Sequence, residues 1–253
     1  MARSYINQPT LDIDFIKPQR MSFDVVVNAI EGGRNGFGQT ITMETTGGGI
    51  VSGSYQNCWV QAREEHEYTN WLSARLTGGF RFINVPLKTD WMGPFPVYDR
   101  WPITAISNIP HSDGSHFSDT SGYSQSTVWG KFTADAALNA GIISIRVYGA
   151  SRPLRHSDWF SVYHPTKGWR VYRYWDVLSV SAESTETVSG TDYSYKDYTL
   201  AIAPALREAV SEDDRIEFAR PKFCAKLAPG ASIPWEVQGF WQSQPTLSFV
   251  EAF

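Results

Sequence analysis

The 253 residues contain two cysteines, too few for a disulfide framework. Cys58 and Cys224 each sit in an apolar, strand-like run (NCWV and KFCAKL), so both are expected as buried free thiols. No run of about 18 apolar residues occurs, which excludes a spanning helix of ordinary length. The residues after Met1, ARSYINQPTLDID, lack the apolar core of a secretory signal, so the chain is expected to be made in a cytosol and to stay soluble, without membrane insertion. Charge is also sparse: 19% of residues are Asp, Glu, Lys or Arg, and the net charge is −4. A chain of that sign offers no broad attraction to phosphate, and no local basic patch replaces it. No nucleic-acid specificity is expected.

Aromatic residues are plentiful, with 10 Trp, 12 Tyr and 14 Phe, types that suit pleated surfaces and interfaces. One stretch, Trp59–Pro86, changes hydrophobic period twice. From Glu64 to Leu76, the residues Tyr68, Trp71, Leu72, Arg75 and Leu76 recur at three- and four-residue steps, while Arg63, Glu64, Glu65 and Glu67 are expected to face water. This predicts one amphipathic helix, 63–77, ended by Gly78 and Gly79. A strand through Phe80, Phe82 and Val85 follows. A lone helix needs a sheet to bury its stripe, so the expected fold is mainly β, with one helix on a sandwich or barrel domain.

Ser22–Ile30 and Phe37–Thr45 read as strands joined by a hairpin loop, EGGRNG, and Gly47, Gly48 and Gly49 mark another turn. A phosphate cradle at GGRNGFG is disfavoured because a strand, not a helix, follows it. Residues 1–20 read as an arm or edge strand. Three prolines among aromatics in TDWMGPFPVYDRWP cannot sit inside a sheet, so residues 88–110 are read as a crossover. The polar run HSDGSHFSDTSGY (111–123) is the expected boundary. Alternating segments then recur at Ser126–Phe132, Ile142–Tyr148, Trp159–Tyr163, Trp169–Val180 and Tyr195–Ala203, as in a small β-barrel-like module. A helical turn is expected over Pro204–Val210, and strands at Arg215–Phe218, Lys222–Leu227, Trp235–Trp241 and Thr246–Val250. The expected layout is an outer β domain of 1–105 with 221–253, carrying an inserted β module at 110–220. No internal repeat is visible.

Two stretches carry a family resemblance. One is the helix running into LTGGFRFINVPL. The other runs from ALNAGIISIRVYG to DRIEFARP and includes Gly141, Asp158, Trp159, Gly168, Leu200, Ile202, Pro204, Leu206 and Arg207. Together they resemble the distal tail and minor tail proteins of tailed bacteriophages. The resemblance implies a virion protein of the tail tip or baseplate. Such proteins form a homo-oligomeric ring, typically hexameric, that joins the tail tube protein to the hub and receptor-binding apparatus. It brings no catalytic residues and no cofactor. Ring contacts need aromatic surfaces, and Trp91, Phe95, Tyr98 and Trp101 in the proline-rich segment are the candidate interface residues.

Other chemistry is weaker. His111, His116, Asp113 and Asp119 lie in a polar loop without a third ligand at fixed spacing, so no metal is expected. Glu183 with Glu186, or Glu64 with Glu67, could pair as glycosidase acids, but the first pair reads as a turn and the second as a wet helix face. No nucleophile elbow exists, and the protein is not expected to be an enzyme. The rival reading is a carbohydrate-binding module for host-surface attachment, using Trp169, Tyr172, Tyr174 and Trp175 as a stacking platform.

Overall fold

A computed structural model describes residues 4–27, 29–44, 48–236, 239 and 242–253, leaving aside the side chains of 29, 41 and 44. The chain is mainly β, as its aromatic and alternating character predicts. In chain order the elements begin with a short helix α1 (Ile13–Ile16), β1 (Pro18–Val26), β2 (Ala29–Arg34), β3 (Thr40–Glu44), β4 (Ile50–Cys58), α2 (Arg63–Leu76) and β5 (Ile83–Pro86). Next come β6 (Val97–Tyr98), β7 (Trp101–Pro102), β8 (Ala105–Ile109), β9 (Tyr123–Ser126), β10 (Trp129–Phe132), β11 (Ile142–Tyr148) and β12 (Phe160–His164). The last are β13 (Gly168–Val180), β14 (Ser184–Val188), β15 (Thr191–Ala203), β16 (Arg215–Glu217), β17 (Lys222–Leu227) and β18 (Leu247–Glu251).

Two compact units result: Met1–Pro86, Pro165–Arg170 and Lys222–Phe253 in one, Leu87–His164 and Val171–Pro221 in the other. The first unit is built on a five-stranded sheet in the order β1-β4-β18-β17-β5. Its inward side chains, Val51, Tyr55, Phe223 and Phe249, are buried. Helix α2 buries Leu72 and Leu76 and ends at Gly78 and Gly79, both at positive φ. Its buried stripe runs through Glu65 and Thr69, and Trp71 is exposed. Glu65, expected on the wet face, is instead the helix's N-terminal anchor. Its Oε2 accepts the backbone N–H groups of Gln61 (2.7 Å) and Ala62 (3.0 Å), and its Oε1 pairs with Lys17. Burial alone would raise this carboxyl's pKa, yet the Gln61, Lys17 and Ala62 donors together hold it below its ordinary value.

The N-terminal hairpin differs from its sequence reading. Ser22–Ile30 is divided between β1 and β2, and Gly32 and Gly33 fall inside β2 at a register shift between Glu31 and Arg34. The turn is Asn35–Gln39, because the Asn35 side-chain oxygen accepts both Phe37 N–H (3.0 Å) and Gln39 N–H (2.9 Å), which a glycine pair cannot imitate. Of the Gly47–Gly49 turn, Gly47 lies outside the described residues, as does Thr45. So does most of the strand expected at Trp235–Trp241, whose first two residues are not strand.

The second unit is a closed six-stranded barrel, β10-β11-β15-β13-β12-β16, with β14 added outside β15. Closure comes from the seven paired positions of β11 and β15, Ile142↔Ala201 through Tyr148↔Tyr195. Alternate residues fill the interior with Phe132, Ile145, Phe160, Val162, Tyr172, Leu200 and Ile216. Pro204–Val210 forms no helical turn. Leu206 is fully buried, with its N–H on Ala140 O (3.0 Å) and its carbonyl accepting Asn139 N–H (2.9 Å), so barrel packing takes the backbone groups a helix would need.

Residues 111–123, expected as a boundary, connect β8 to β9 within the second unit. They also contain a short repeat that only the structure makes evident: HSDGS and FSDTS form two like turns six residues apart. In each, the first residue's N–H reaches the last residue's carbonyl (2.8 and 2.9 Å), and the Asp Oδ1 accepts the Ser N–H and hydroxyl. His111, Phe117 and Tyr123, at the same spacing, pack as a triangle with ring centres 4.9–5.0 Å apart. An isolated hairpin has no core, and this cluster supplies a small one.

Candidate functional site: a clamped aromatic surface

Of the four interface candidates, the structure separates one from three. Phe95 is 2% exposed and belongs to the barrel core. Trp91, Tyr98 and Trp101 are 65%, 75% and 65% exposed, with Met92 and Val97 also exposed among them. The indoles of Trp91 and Trp101 meet with ring centres 5.2 Å apart.

The surface is held from beneath by several independent contacts. Thr89 O accepts Met92 N–H (2.9 Å) and Gly93 N–H (2.8 Å), closing a turn, and Ile103 N–H donates to Pro96 O (2.8 Å). Gly93 has no side chain because a Cβ there would lie 2.0 Å from the Phe95 ring. Ser151 donates its N–H to Pro94 O (2.9 Å) and its hydroxyl to Phe95 O (2.8 Å). Arg152 reaches the Met92 carbonyl and is itself fixed by a bidentate pair with buried Asp158 (2.7 and 2.8 Å). The hydrogen bond to Asp158 raises the Arg152 pKa, so this clamp stays charged. Asp99 and Arg100, both at positive φ, make the two-residue turn between β6 and β7. Rigid anchoring under exposed rings lowers the ordering entropy of any association made through them.

Met92 and Val97 have no signal of their own in the sequence, although they lie beside residues that do. Nothing in the six-residue spacing of Arg152 and Asp158 marks them as a clamp for a segment some 60 residues earlier.

The residues weighed for chemistry lie elsewhere. Asp113 and Asp119 are exposed and held below the usual carboxylate range by the hydroxyl and N–H of Ser115 and Ser121. Among the described residues no group of three or more His, Cys, Asp or Glu is placed to hold a metal ion. Glu183 and Glu186 flank or lie in β14, not a turn. Glu186 joins a network on the barrel wall, with Arg146 Nη1 (2.8 Å), Lys131 Nζ (3.5 Å) and the Tyr148 hydroxyl. Arg146 also holds Asp197 (2.7 Å) and lies 3.9 Å from the Tyr195 ring centre. The Tyr148 hydroxyl, then Arg146, lower the Glu186 pKa, which suits a structural carboxylate and not a proton donor near neutral pH. Glu67 pairs with Arg63 (3.0 Å) on the wet face of α2. Of the proposed sugar platform, Tyr172 and Tyr174 are buried in the barrel and Trp175 is exposed. Trp169, in the first unit, lies 4.3 Å from Lys222 Nζ.

Comparison with models of known protein families finds no match, and neither does comparison with characterised protein sequences.

Proposed function

We propose that this chain is a structural subunit of a phage-type tail tip, a ring component that connects the tail tube to the hub and receptor-binding apparatus, and that the 91–101 surface is one half of its subunit contact. The observation that carries the reading is the pairing of exposure with rigidity in that surface. Five large apolar side chains stand in water on a segment fastened to the barrel by Phe95, Ser151 and Arg152. Monomeric proteins seldom keep such patches open, and covering each of these rings is worth roughly 1.5–3 kcal/mol. A closed ring needs two different surfaces on each subunit, of which this supplies one. The tail assignment itself rests on the resemblance of the 63–87 and 137–221 stretches to distal and minor tail proteins.

Light scattering on purified chain, and imaging of assembled tails with a tagged copy, test the proposal. Replacing Trp91, Tyr98 and Trp101 together by Ser should leave the barrel folded while abolishing ring formation or incorporation into tails. Normal incorporation of that variant would refute the role of this surface. A monomer whose exposed indoles are quenched by oligosaccharide would instead support attachment to a host surface through carbohydrate.

A further inference from the structure

The two edges of the five-stranded sheet are treated differently. Beyond β5, the chain's own residues Pro9–Leu11 run alongside: Thr10 bridges Asn84 in parallel, Asn84 N–H donates to Pro9 O (2.9 Å), and Leu11 N–H donates to Asn84 O (2.8 Å). Beyond β1, among the described residues, no strand pairs. An edge strand turns alternate N–H and C=O groups outward, and proteins usually guard such an edge with charged side chains, lysine above all, an interior proline or a bulge. β1 is nine residues long, has its one proline at the first position, carries no lysine, and pairs with β4 in one register from Arg20 to Val26.

The side chains of β1 are complementary to themselves. Its only charged residues are Arg20 and Asp24, of opposite sign and equidistant from Ser22. Laying a second β1 antiparallel on the first, with Ser22 opposite Ser22, sets Arg20 of each copy directly against Asp24 of the other. The same register sets exposed Met21 against half-buried Phe23, so the apolar face matches as well. Arg20 makes no ion pair among the described residues. In the single chain Asp24 Oδ1 accepts Val25 N–H (2.8 Å), a bond that pairing with a second copy would exchange for Arg20 of that copy. A residue pattern symmetric about its own centre is what a two-fold contact requires.

We propose that β1 is the contact through which two copies of this chain pair, antiparallel about a two-fold axis at Ser22, joining two five-stranded sheets into one of ten. This pairing is independent of the tail-ring reading and of the 91–101 surface. A single strand edge buries less than a standard interface, so the dimer is expected to be weak, with a dissociation constant on the order of 10–100 µM.

Sedimentation equilibrium on the Trp91/Tyr98/Trp101→Ser variant isolates this contact. Between about 1 and 500 µM its mass should rise from that of one chain, near 28.4 kDa, towards twice that value. Arg20→Asp and Asp24→Arg each place like charges together twice and should weaken pairing at least about 10-fold. The double exchange Arg20→Asp with Asp24→Arg restores opposite charges and should return association to within about 3-fold of the parent. Ser22→Cys, a change on the exposed face, should form a disulfide with its own copy on mild oxidation, while Ser54→Cys on β4 should not; this readout decides the matter should a charge variant fail to fold. A parent that stays at one-chain mass throughout, single exchanges that pair normally, a double exchange that stays apart, or a Ser22→Cys chain that does not cross-link would each overturn the proposal.

Discussion

Arg170 and Glu251 form the first unit's most consequential ion pair, with side chains 0% and 1% exposed and Nη1 to Oε1 at 3.1 Å. Arg170 sits in the 165–170 segment, which the contact pattern assigns to the first unit; its Nη1 also donates to Ala252 O (2.8 Å) and its Nε to Lys167 O (3.0 Å). Its guanidinium also lies over the rings of Tyr5 (5.5 Å) and Phe253 (5.1 Å). Glu251 Oε2 accepts Val51 N–H (3.2 Å). Removing the arginine leaves a carboxylate in a place water does not reach, so Arg170→Met should cost about 3–5 kcal/mol, a large part of the 5–15 kcal/mol that usually holds a domain. The double change Arg170→Met with Glu251→Leu removes both charges. It shares the two stranded carbonyls with the single change, and in place of the bare carboxylate it leaves the Val51 N–H unpaired, which costs about 1–3 kcal/mol. Urea unfolding of the four proteins, followed by hydrogen exchange of β4 and β18 amides, measures the coupling. The two carboxylate and guanidinium groups act as a buried pair only if the double variant is the more stable; a single variant within about 1 kcal/mol of wild type would refute that account.

Gly168 has φ +67° and a Cβ there would lie 2.3 Å from Tyr5 O, so Gly168→Ala should destabilise by more than about 2 kcal/mol, whereas Gly190→Ala, at φ +83° with open space around it, should cost about 1 in the same denaturation assay. The carboxyl of Glu65 is held below its ordinary value of 4.5, so its contribution is present above that pH and is lost as pH falls through the lowered value; Glu65→Gln should flatten the acid limb of thermal stability between about pH 5 and 3 and lower the melting temperature at pH 7. Burial pushes the thiols of Cys58 and Cys224 up to about 12 and about 11, so neither should react with a thiol-specific disulfide reagent at pH 8 until the chain is unfolded, when both should; rapid reaction of the native protein would contradict their burial.

Much of the architecture is legible before any tertiary information. Periodicity finds α2 and the principal barrel strands, since a 3.6-residue stripe and a two-residue alternation are local properties. The errors share a cause. Glu65 is polar and lies where the helix surface should be wet, but its place was decided by Lys17 and by two orphan N–H groups at the helix start. Pro204–Val210 has the residues of a helical turn, and Ala140 and Ala136, in the neighbouring β10–β11 connection, take its backbone partners. β14 looks like a Ser/Thr-rich turn, and it is a strand because β15 offers it an edge and Glu186 reaches Arg146.

The candidate surface divides the same way. That the proline and aromatic residues at 91–102 stay out of the middle of a large sheet is legible in sequence, because proline lacks the donor a ladder needs, but the segment read as a plain crossover pairs Val97–Tyr98 with Trp101–Pro102 as a small hairpin, which sequence does not show. Which rings face water was not. Phe95 and Tyr98 are equivalent in the linear text, and only closure of the barrel gives one a cavity to fill and leaves the other outside. The composition of β1 likewise contains its symmetry about Ser22, but that symmetry acquires meaning only once β1 is an edge, and being an edge is a property of strand order that chain order does not carry.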